Sequence, residues 1–167
     1  AGVAEFPADW LVLSPCPGRP ERFGLKGSIA LALQGKVPLF GVCLGLQGIV
    51  EYFGGSLRTL EQCMHGKQSQ LVASTGPLFE GLPEAITVGR YHSLVADTVP
   101  DCLEVCARSA GETPSSTVVM AVQHRSLPVF AVQFHPESIL TAQQGCGLQL
   151  LHNLLHTLRV RELVGAV

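Results

Sequence analysis

The chain has 167 residues, of which 47% are hydrophobic and 14% charged, and its formal net charge at pH 7 is −2. This length predicts one domain, and the hydrophobic content excludes a disordered chain, which needs low hydrophobicity and high net charge. Eleven scattered basic residues argue against a nucleic-acid partner. The longest apolar stretch, residues 37–50, is too short to cross a membrane, and residues 1–10 lack the pattern of a secretory signal. We therefore expect a cytoplasmic protein with reduced cysteines and no membrane partner.

The first half of the chain alternates predicted strands and helices. Residues 10–13 form a short apolar run before two prolines, which lack the backbone donor of a regular strand or helix. A helix is predicted over Leu25–Gln34, where apolar residues recur at helical spacing. Residues 37–42 are apolar at nearly every position, as in a parallel strand covered on both faces. A second helix is predicted over residues 44–53.

The second half is predicted to be richer in strands and to end in a helix. The predicted strands are residues 70–73, 86–88, 103–107, 118–123 and 129–134. The connection between the last two is so short that they should be antiparallel neighbours. The final helix is predicted to bury a face of leucines, namely Leu148, Leu151, Leu154, Leu155 and Leu158. The order of elements implies an α/β fold with an open, mainly parallel sheet and helices on both faces.

The segment FGVCLGLQ at 40–47 places a cysteine between the predicted buried strand and the second helix. Glycines stand two positions before and after Cys43, a pattern typical of a nucleophile elbow, whose sharp turn leaves no room for side chains there. The helix start would stabilise a thiolate, and the N–H of Leu44 is placed to bind the oxyanion of an attacked carbonyl. The alternative is that Cys43 is a small core residue and that the glycines serve packing.

A cysteine nucleophile needs a base, and His135 stands at the end of a predicted strand with Glu137 two residues further on. Residues i and i+2 of extended backbone point to the same side, so Glu137 can orient the imidazole. The ends of parallel strands gather at one edge of a sheet, so His135 can meet Cys43 despite their separation along the chain. The alternative is a strand-end histidine with only local hydrogen bonds.

Four motifs in this order resemble those of the class I glutamine amidotransferases: SPxPG at 14–18, GVCLGLQ at 41–47, GRYHSL at 89–94 and FHPES at 134–138. The resemblance covers residues 9–159. Further details, such as MHGK at 64–67, are most similar to the glutaminase component of anthranilate synthase, with that of aminodeoxychorismate synthase as a near relative.

The resemblance implies a single glutaminase domain over residues 1–167. Family members have a strand–helix–strand unit before the SPxPG strand, so we expect a chain that is truncated at its N-terminus, such as a fragment of a synthase–glutaminase fusion. The sheet would then lack this unit and expose an apolar edge.

The resemblance also implies that Cys43 attacks the side-chain amide of L-glutamine and forms a thioester, with His135 as base and acid and Glu137 as its orienting group. The ammonia would pass to a chorismate-binding synthase domain or subunit of the tryptophan pathway. The implied positions of glutamine binding and of the oxyanion hole are Cys16, Pro17, Gly18, Leu44, Gln47, Ser93 and Leu94. The resemblance implies no metal or other cofactor in this domain, with magnesium expected on the partner synthase.

One departure from the family pattern lies in the first motif, where Cys16 replaces the first glycine of SPGPG. A Cβ there would disturb a backbone conformation that only glycine adopts easily, and the loss of one oxyanion donor costs about 100- to 1000-fold in rate. A catalytically impaired binding or regulatory module is therefore an alternative function. A third is another Cys–His hydrolase of γ-glutamyl substrates. A disulfide between Cys16 and Cys43 under oxidation is conceivable.

Three other histidines are given lesser roles. His152 and His156 lie one helical turn apart but have no third zinc ligand, so we expect them to face solvent. His92 has no adjacent carboxylate and is expected to shape the glutamine pocket.

Overall fold

The computed structural model describes residues 8–72, 74–110, 117–142 and 145–165, with side chains up to residue 158. In chain order the strands and α-helices are β1 (Leu11–Leu13), α1 (Leu25–Gln34), β2 (Leu39–Val42), α2 (Leu44–Tyr52), β3 (Ser56–Thr59), β4 (Lys67–Val72), β5 (Thr87–Arg90), β6 (Leu94–Thr98), β7 (Leu103–Ser109), β8 (Val119–His124), β9 (Val129–Val132) and α3 (Cys146–Gly165). Short 3-10 helices occur at Pro20–Phe23 and Pro77–Phe79.

Seven of these strands form one mixed sheet, in the order β1-β2-β9-β8-β7-β4-β5, and β3 pairs with β6 in a separate antiparallel ribbon. Within the large sheet, β1, β2 and β9 are parallel, and the remaining neighbours are antiparallel. The predicted α/β fold is confirmed, and so is the antiparallel pairing of the last two strands. The sheet is mixed rather than mainly parallel, because β7, β8 and β9 follow one another without the crossover helix that parallel pairing needs.

The central strands separate two hydrophobic clusters, since alternate side chains of a strand point to opposite faces of the sheet. Phe40 and Phe130 belong to the cluster that α3 covers through Leu154. Leu39, on the other face, packs in the cluster that holds Ile49 of α2 together with residues of α1. Helices therefore cover both faces, as predicted, and this explains why residues 37–42 are apolar throughout.

The predicted boundaries fit best where the apolar pattern is strongest. Helix α1 begins and ends as predicted, and α2 ends at Tyr52, one residue early. Strands β3 and β6 were missed by the prediction. β3 is only half-buried and its sequence, SLRT, carries little β signal, so main-chain pairing with β6 defines it.

The buried face of α3 differs from the predicted leucine stripe. Leu154 and Leu158 are buried as expected, but Leu148 is 73% exposed and Leu155 is 41% exposed, while Leu150 is buried instead. The reason lies at the start of the helix, where a Cβ on residue 147 would overlap the carbonyl oxygen of Pro136. This close backbone approach fixes the rotation of the helix about its axis. That rotation determines which leucines face the core. None of the helices in the described part of the chain is long and apolar enough to span a membrane.

The close packing of α2 on β1 makes a testable prediction about Gly45. A Cβ at this position would overlap the carbonyl oxygen of Leu13 and lie 2.9 Å from its Cβ. Because main-chain atoms cannot move aside cheaply, we expect Gly45→Ala to lower the free energy of unfolding by about 2–3 kcal/mol, measured by urea titration.

Gly27 provides the matched control for this experiment. It lies exposed in α1, and a Cβ there would have no atom within 4 Å. Gly27→Ala should raise the free energy of unfolding by up to about 1 kcal/mol, because alanine favours the helix. Equal effects of the two substitutions would contradict the proposed packing.

Candidate active site

Cys43 lies in a sharp bend between β2 and α2. Its backbone angles are φ 54° and ψ −98°. Among the non-glycine residues that the structure describes, only Lys36 shares a positive φ. Such a conformation costs about 1–3 kcal/mol and persists only where surrounding contacts enforce it. One of these contacts is the hydrogen bond that the N–H of Cys43 donates to the carbonyl oxygen of Val132, at 2.8 Å.

The glycines on either side of Cys43 make this bend possible. A Cβ on Gly41 would lie 2.6 Å from the carbonyl carbon of Gly45, and a Cβ on Gly45 would overlap the main chain of Leu13. Cys43 therefore has the strand–turn–helix setting of a nucleophile elbow.

His135 lies beyond the end of β9, the parallel neighbour of β2. Val42 pairs with Val132 at the ends of these strands, so the residues that follow them share one edge of the sheet. The Nδ1 atom of His135 lies 2.7 Å from a carboxylate oxygen of Glu137. Its Nε2 atom is buried and has no hydrogen-bond partner within the described residues. Glu137 thus engages one ring nitrogen and leaves the other able to accept a proton.

Cys43 and His135 line the same cavity, whose volume is about 600 Å³. The full lining is Pro15, Cys16, Pro17, Cys43, His65, Tyr91, His135, Ser138 and Ile139. The ring of Tyr91 packs edge-to-face on that of His135 at 5.0 Å, and its hydroxyl lies 3.2 Å from that of Ser138. A cavity of this size accommodates a small-molecule substrate.

A buried pair of side-chain amides lies behind the thiol. The Nε2 of Gln133 donates to the Cys43 sulfur at 3.5 Å, and its Oε1 accepts from the Nε2 of Gln47 at 3.3 Å. The same Gln47 nitrogen donates to the carbonyl oxygen of Leu94 at 2.9 Å. Sequence reasoning missed Gln133. The available signal was its place two residues before His135, directly after the strand that neighbours β2.

Burial raises the pKa of the Cys43 thiol to about 11. The backbone N–H of Leu44 and the amide of Gln133 lower the pKa, and the charge of Glu137 raises it further. The helix start therefore favours the thiolate, as predicted, but burial outweighs it. The resting thiol is protonated at neutral pH, so attack on a carbonyl requires a base such as His135.

The loop that carries Cys16 does not show the expected backbone conflict. Cys16 is exposed and lines the cavity beside Pro17, and it does not adopt a positive φ. The conformation that favours glycine occurs instead at Gly18, with φ 127°, where a Cβ would lie 3.3 Å from the ring of Phe23. The structure therefore shows no left-handed backbone conformation at position 16, and the expected effect of Cys16 on the oxyanion hole stays a prediction.

Several of the predicted substrate contacts do not form part of the cavity wall. The carbonyl oxygens of Ser93 and Leu94 accept hydrogen bonds from the N–H of Leu60, at 2.7 Å, and from Gln47. Gly18, Ser93, Leu94, Gln47 and Leu44 are absent from the lining. The structure thus gathers Cys16, Pro17, Cys43 and His135 around one space. The glutamine-binding roles of the residues outside this lining stay predictions.

His92 is a buried structural histidine. Burial and the charge of Arg90 lower its pKa to about 3, and its Nε2 accepts a hydrogen bond from the Nε of Arg90 at 3.2 Å. Arg90 is itself buried and donates from Nη1 to the hydroxyl of Ser69 at 3.0 Å. The His92 ring therefore stays neutral at physiological pH and accepts the hydrogen bond of Arg90. It is not suited to act as a general acid, which must be protonated.

Within the residues that the structure describes, no three His, Cys, Asp or Glu side chains are grouped so that they could hold a metal ion. His152 and His156 are exposed on α3. The cofactor-free domain expected from the sequence stays a prediction.

Comparison with known proteins gives one family. The model of the family described as glutamine amidotransferase class-I matches residues 4–156. An anthranilate synthase of Azospirillum brasilense is 52% identical over 99% of this chain, which spans 22% of that protein. The aminodeoxychorismate/anthranilate synthase component 2 of Bacillus subtilis is 39% identical over 94% of this chain and 78% of its own length. A solved glutamine amidotransferase from Thermotoga maritima has the same fold, with a TM-score of 0.73 over 95% of this chain and 80% of its own, at 16% identity.

The low pKa of His92 predicts a specific dependence of stability on pH. Between the ordinary pKa of histidine, about 6.5, and the folded value of about 3, the unfolded chain binds a proton that the folded chain does not. The free energy of unfolding therefore rises with pH across this window and falls on acidification, by up to about 1.4 kcal/mol per pH unit.

Replacing the ring by a neutral acceptor should remove this contribution. His92→Gln keeps an oxygen that can accept from Arg90, so we expect a flatter curve of unfolding free energy between about pH 4 and pH 6. Urea titrations over that range measure it, with each protein referred to its own stability at about pH 8, where histidine is neutral. Parallel curves for the two proteins would rule out this role of His92.

Proposed function

Because the chain belongs to the class-I glutamine amidotransferase family, we propose that it hydrolyses the side-chain amide of L-glutamine and delivers the ammonia to a chorismate-binding synthase. One observation carries the proposal. A cysteine in a nucleophile elbow and a histidine paired with a carboxylate line the same cavity. This arrangement is suited to thiol-dependent cleavage of an amide.

In the proposed reaction, the sulfur of Cys43 attacks the side-chain carbonyl carbon of glutamine, and the thiol proton passes to Nε2 of His135. The carbon–nitrogen bond then breaks, the protonated ring gives its proton to the leaving nitrogen, and ammonia departs. Water attacks the resulting thioester with His135 as its base, which releases glutamate and restores the thiol. Glu137 holds the ring in the tautomer that this sequence needs.

The start of α2 supplies the donors for the oxyanion that forms during attack. The first hydrogen bond within this helix runs from the N–H of Gln47 to the carbonyl oxygen of Cys43, at 3.2 Å. The N–H of Leu44 precedes that bond and so has no partner inside the helix. Together with an N–H from the loop at residues 16–18, it would bind the negatively charged oxygen.

We propose that the partner synthase makes anthranilate, in the tryptophan pathway. The relative that is 52% identical is an anthranilate synthase, which supports this assignment. The Bacillus subtilis relative is named for both aminodeoxychorismate and anthranilate synthesis, so aminodeoxychorismate is the second candidate product. Glutamine hydrolysis by these residues needs no metal, and any magnesium would belong to the synthase. We place the reaction in the cytoplasm, which fits the free thiols of the chain.

Glutamine hydrolysis provides the direct test, measured as glutamate and ammonia released with a chorismate-binding synthase present. We expect Cys43→Ser to lower kcat more than about 1000-fold, because it removes the nucleophile. Glu137→Gln should lower kcat about 10- to 100-fold. This is less than the ~10⁴-fold loss for a fully buried carboxylate, because the Glu137 side chain is 55% exposed and partly hydrated.

Thr157→Ser, in the later part of helix α3 and outside the cavity lining, is the control for handling and folding and should retain wild-type turnover. Equal turnover by the wild type and Cys43→Ser would remove the proposed role of the thiol. Supplying the chain to separate anthranilate and aminodeoxychorismate synthase components distinguishes the two products. The correct component forms its aminated product from glutamine, and the other requires free ammonia.

The alternative of an impaired module is tested at Cys16. Because the backbone at this position does not need glycine, we expect Cys16→Gly to change kcat by less than about threefold, well below the 100- to 1000-fold effect of an oxyanion donor. The same assay measures it. A gain of 100-fold or more would show that Cys16 damages the oxyanion hole and would favour the impaired module.

A further inference from the structure

The buried amide of Gln133 joins the nucleophile to the strand behind the cavity. Its backbone N–H donates to the carbonyl oxygen of Met120 at 2.9 Å, which fixes its main chain to β8. Its side chain is fully buried and does not line the cavity. It lies between Cys43 and Gln47, and both contacts are hydrogen bonds rather than apolar packing.

The orientation of this amide is determined by its neighbours. Gln47 can only donate from Nε2, and this nitrogen faces the carbonyl oxygen of Leu94 at 2.9 Å and the Oε1 of Gln133 at 3.3 Å. With its oxygen accepting from Gln47, Gln133 must present its NH₂ group to the sulfur of Cys43. The reverse orientation would place two NH₂ groups together and an oxygen against the sulfur. The contact between the two NH₂ groups would be repulsive in either state of the thiol, and the contact between oxygen and sulfur would become repulsive once the thiolate forms.

We infer that Gln133 is a positioning residue for the nucleophile: its amide, held in one orientation by Gln47, donates a hydrogen bond to the sulfur of Cys43 and stabilises the thiolate. The inference deepens the proposed function, on which it rests for the identity of the reaction. The contribution is large in a buried site, because hydrogen bonds to charged groups are stronger than those between neutral groups. The direction agrees with the effect of the Gln133 amide on the thiol, whose pKa it lowers.

A purely structural role for Gln133 makes different predictions. A glutamine that only completes the packing of the sheet would, when replaced, change the free energy of unfolding without changing the chemistry of the thiol. A residue that stabilises the thiolate changes the reactivity of the sulfur even where the fold is unaffected. Reactivity must therefore be measured at Cys43 itself.

Alkylation of Cys43 by iodoacetamide is the closing experiment, followed by mass spectrometry of the peptide that contains this residue. Gln133→Met keeps the length of the side chain and removes both hydrogen bonds. We expect its alkylation rate to be about tenfold lower than that of the wild type across the neutral and alkaline range, where the rate follows the thiolate fraction. In glutamine hydrolysis, kcat should fall by a similar factor and KM should change less than about twofold, since Gln133 lies off the cavity wall.

Met120→Leu is the matched control, because Met120 is fully buried beside Gln133 and contributes no side-chain hydrogen bond to the thiol. Volume-conserving swaps of this kind are tolerated in cores, so its alkylation rate should stay within about twofold of the wild-type rate. Urea titration confirms that each variant is folded. A folded Gln133→Met that alkylates at the wild-type rate would overturn the inference, as would equal slowing in Met120→Leu.

Gln47→Met tests the orientation step independently. Without the donor of Gln47, the Gln133 amide is free to rotate, and we expect alkylation to slow about threefold. If both residues act through the single bond to sulfur, the double variant is no slower than Gln133→Met alone. A double variant whose loss of alkylation rate equals the product of the two single losses would contradict this. If Gln133→Met does not fold, a wild-type alkylation rate in Gln47→Met overturns the inference.

These measurements also separate the inference from the proposed function, because iodoacetamide reacts with the thiol whether or not glutamine is a substrate. Slowed alkylation in a protein that does not hydrolyse glutamine would refute the proposed function and support the inference. If glutamine hydrolysis depends on Cys43 but the alkylation rate does not change on replacement of Gln133, the proposed function is supported and the inference is refuted.

Discussion

The bend at Cys43 is the constraint on which the site depends. A non-glycine residue at φ 54° is held there by a hydrogen bond to β9 and by two glycines that allow α2 to fold back against β2 and β1. Because these restraints act on the main chain, they fix the position and direction of the Cα–Cβ bond that carries the sulfur. The residues that follow β9 then lie beside it by the register of the parallel pair.

The energetics of the thiol follow from this rigid and buried position. Burial raises the pKa of Cys43, and the helix start and the amide of Gln133 offset part of this effect without reversing it. The net result is a pKa raised from 9.0 to about 11, which corresponds to a net cost of roughly 3 kcal/mol for the charged form. The site therefore differs from one that stores a preformed thiolate. In the proposed reaction its reactivity depends on His135, whose Nε2 atom has no hydrogen-bond partner among the described residues and can take the proton.

The fold could be predicted from the sequence where one strong local pattern decides the structure. The uniform apolar run before Cys43 and the glycines around it specify a buried strand, a sharp turn and a helix, and all three are present. The prediction was wrong where tertiary contacts decide. The rotation of α3 is set by the approach of residue 147 to Pro136, and β3 exists through its pairing with β6. The amide of Gln133 was missed for a related reason, since its place directly after β9 indicates only that it lies near the site, and its contacts with Cys43 and Gln47 are tertiary.

Two donors contact the sulfur of Cys43, and His135 lines the same cavity, so these three groups can have different chemical roles. The N–H of Leu44 and the amide of Gln133 can only donate, so they stabilise negative charge but cannot remove the proton. In the proposed reaction, the imidazole of His135 accepts it. Stronger donors would produce more thiolate at rest, but a thiolate of lower pKa is a weaker nucleophile. A buried sulfur with few donors and a separate base therefore remains a strong nucleophile. In the proposed reaction it becomes a thiolate only when proton transfer and attack occur together.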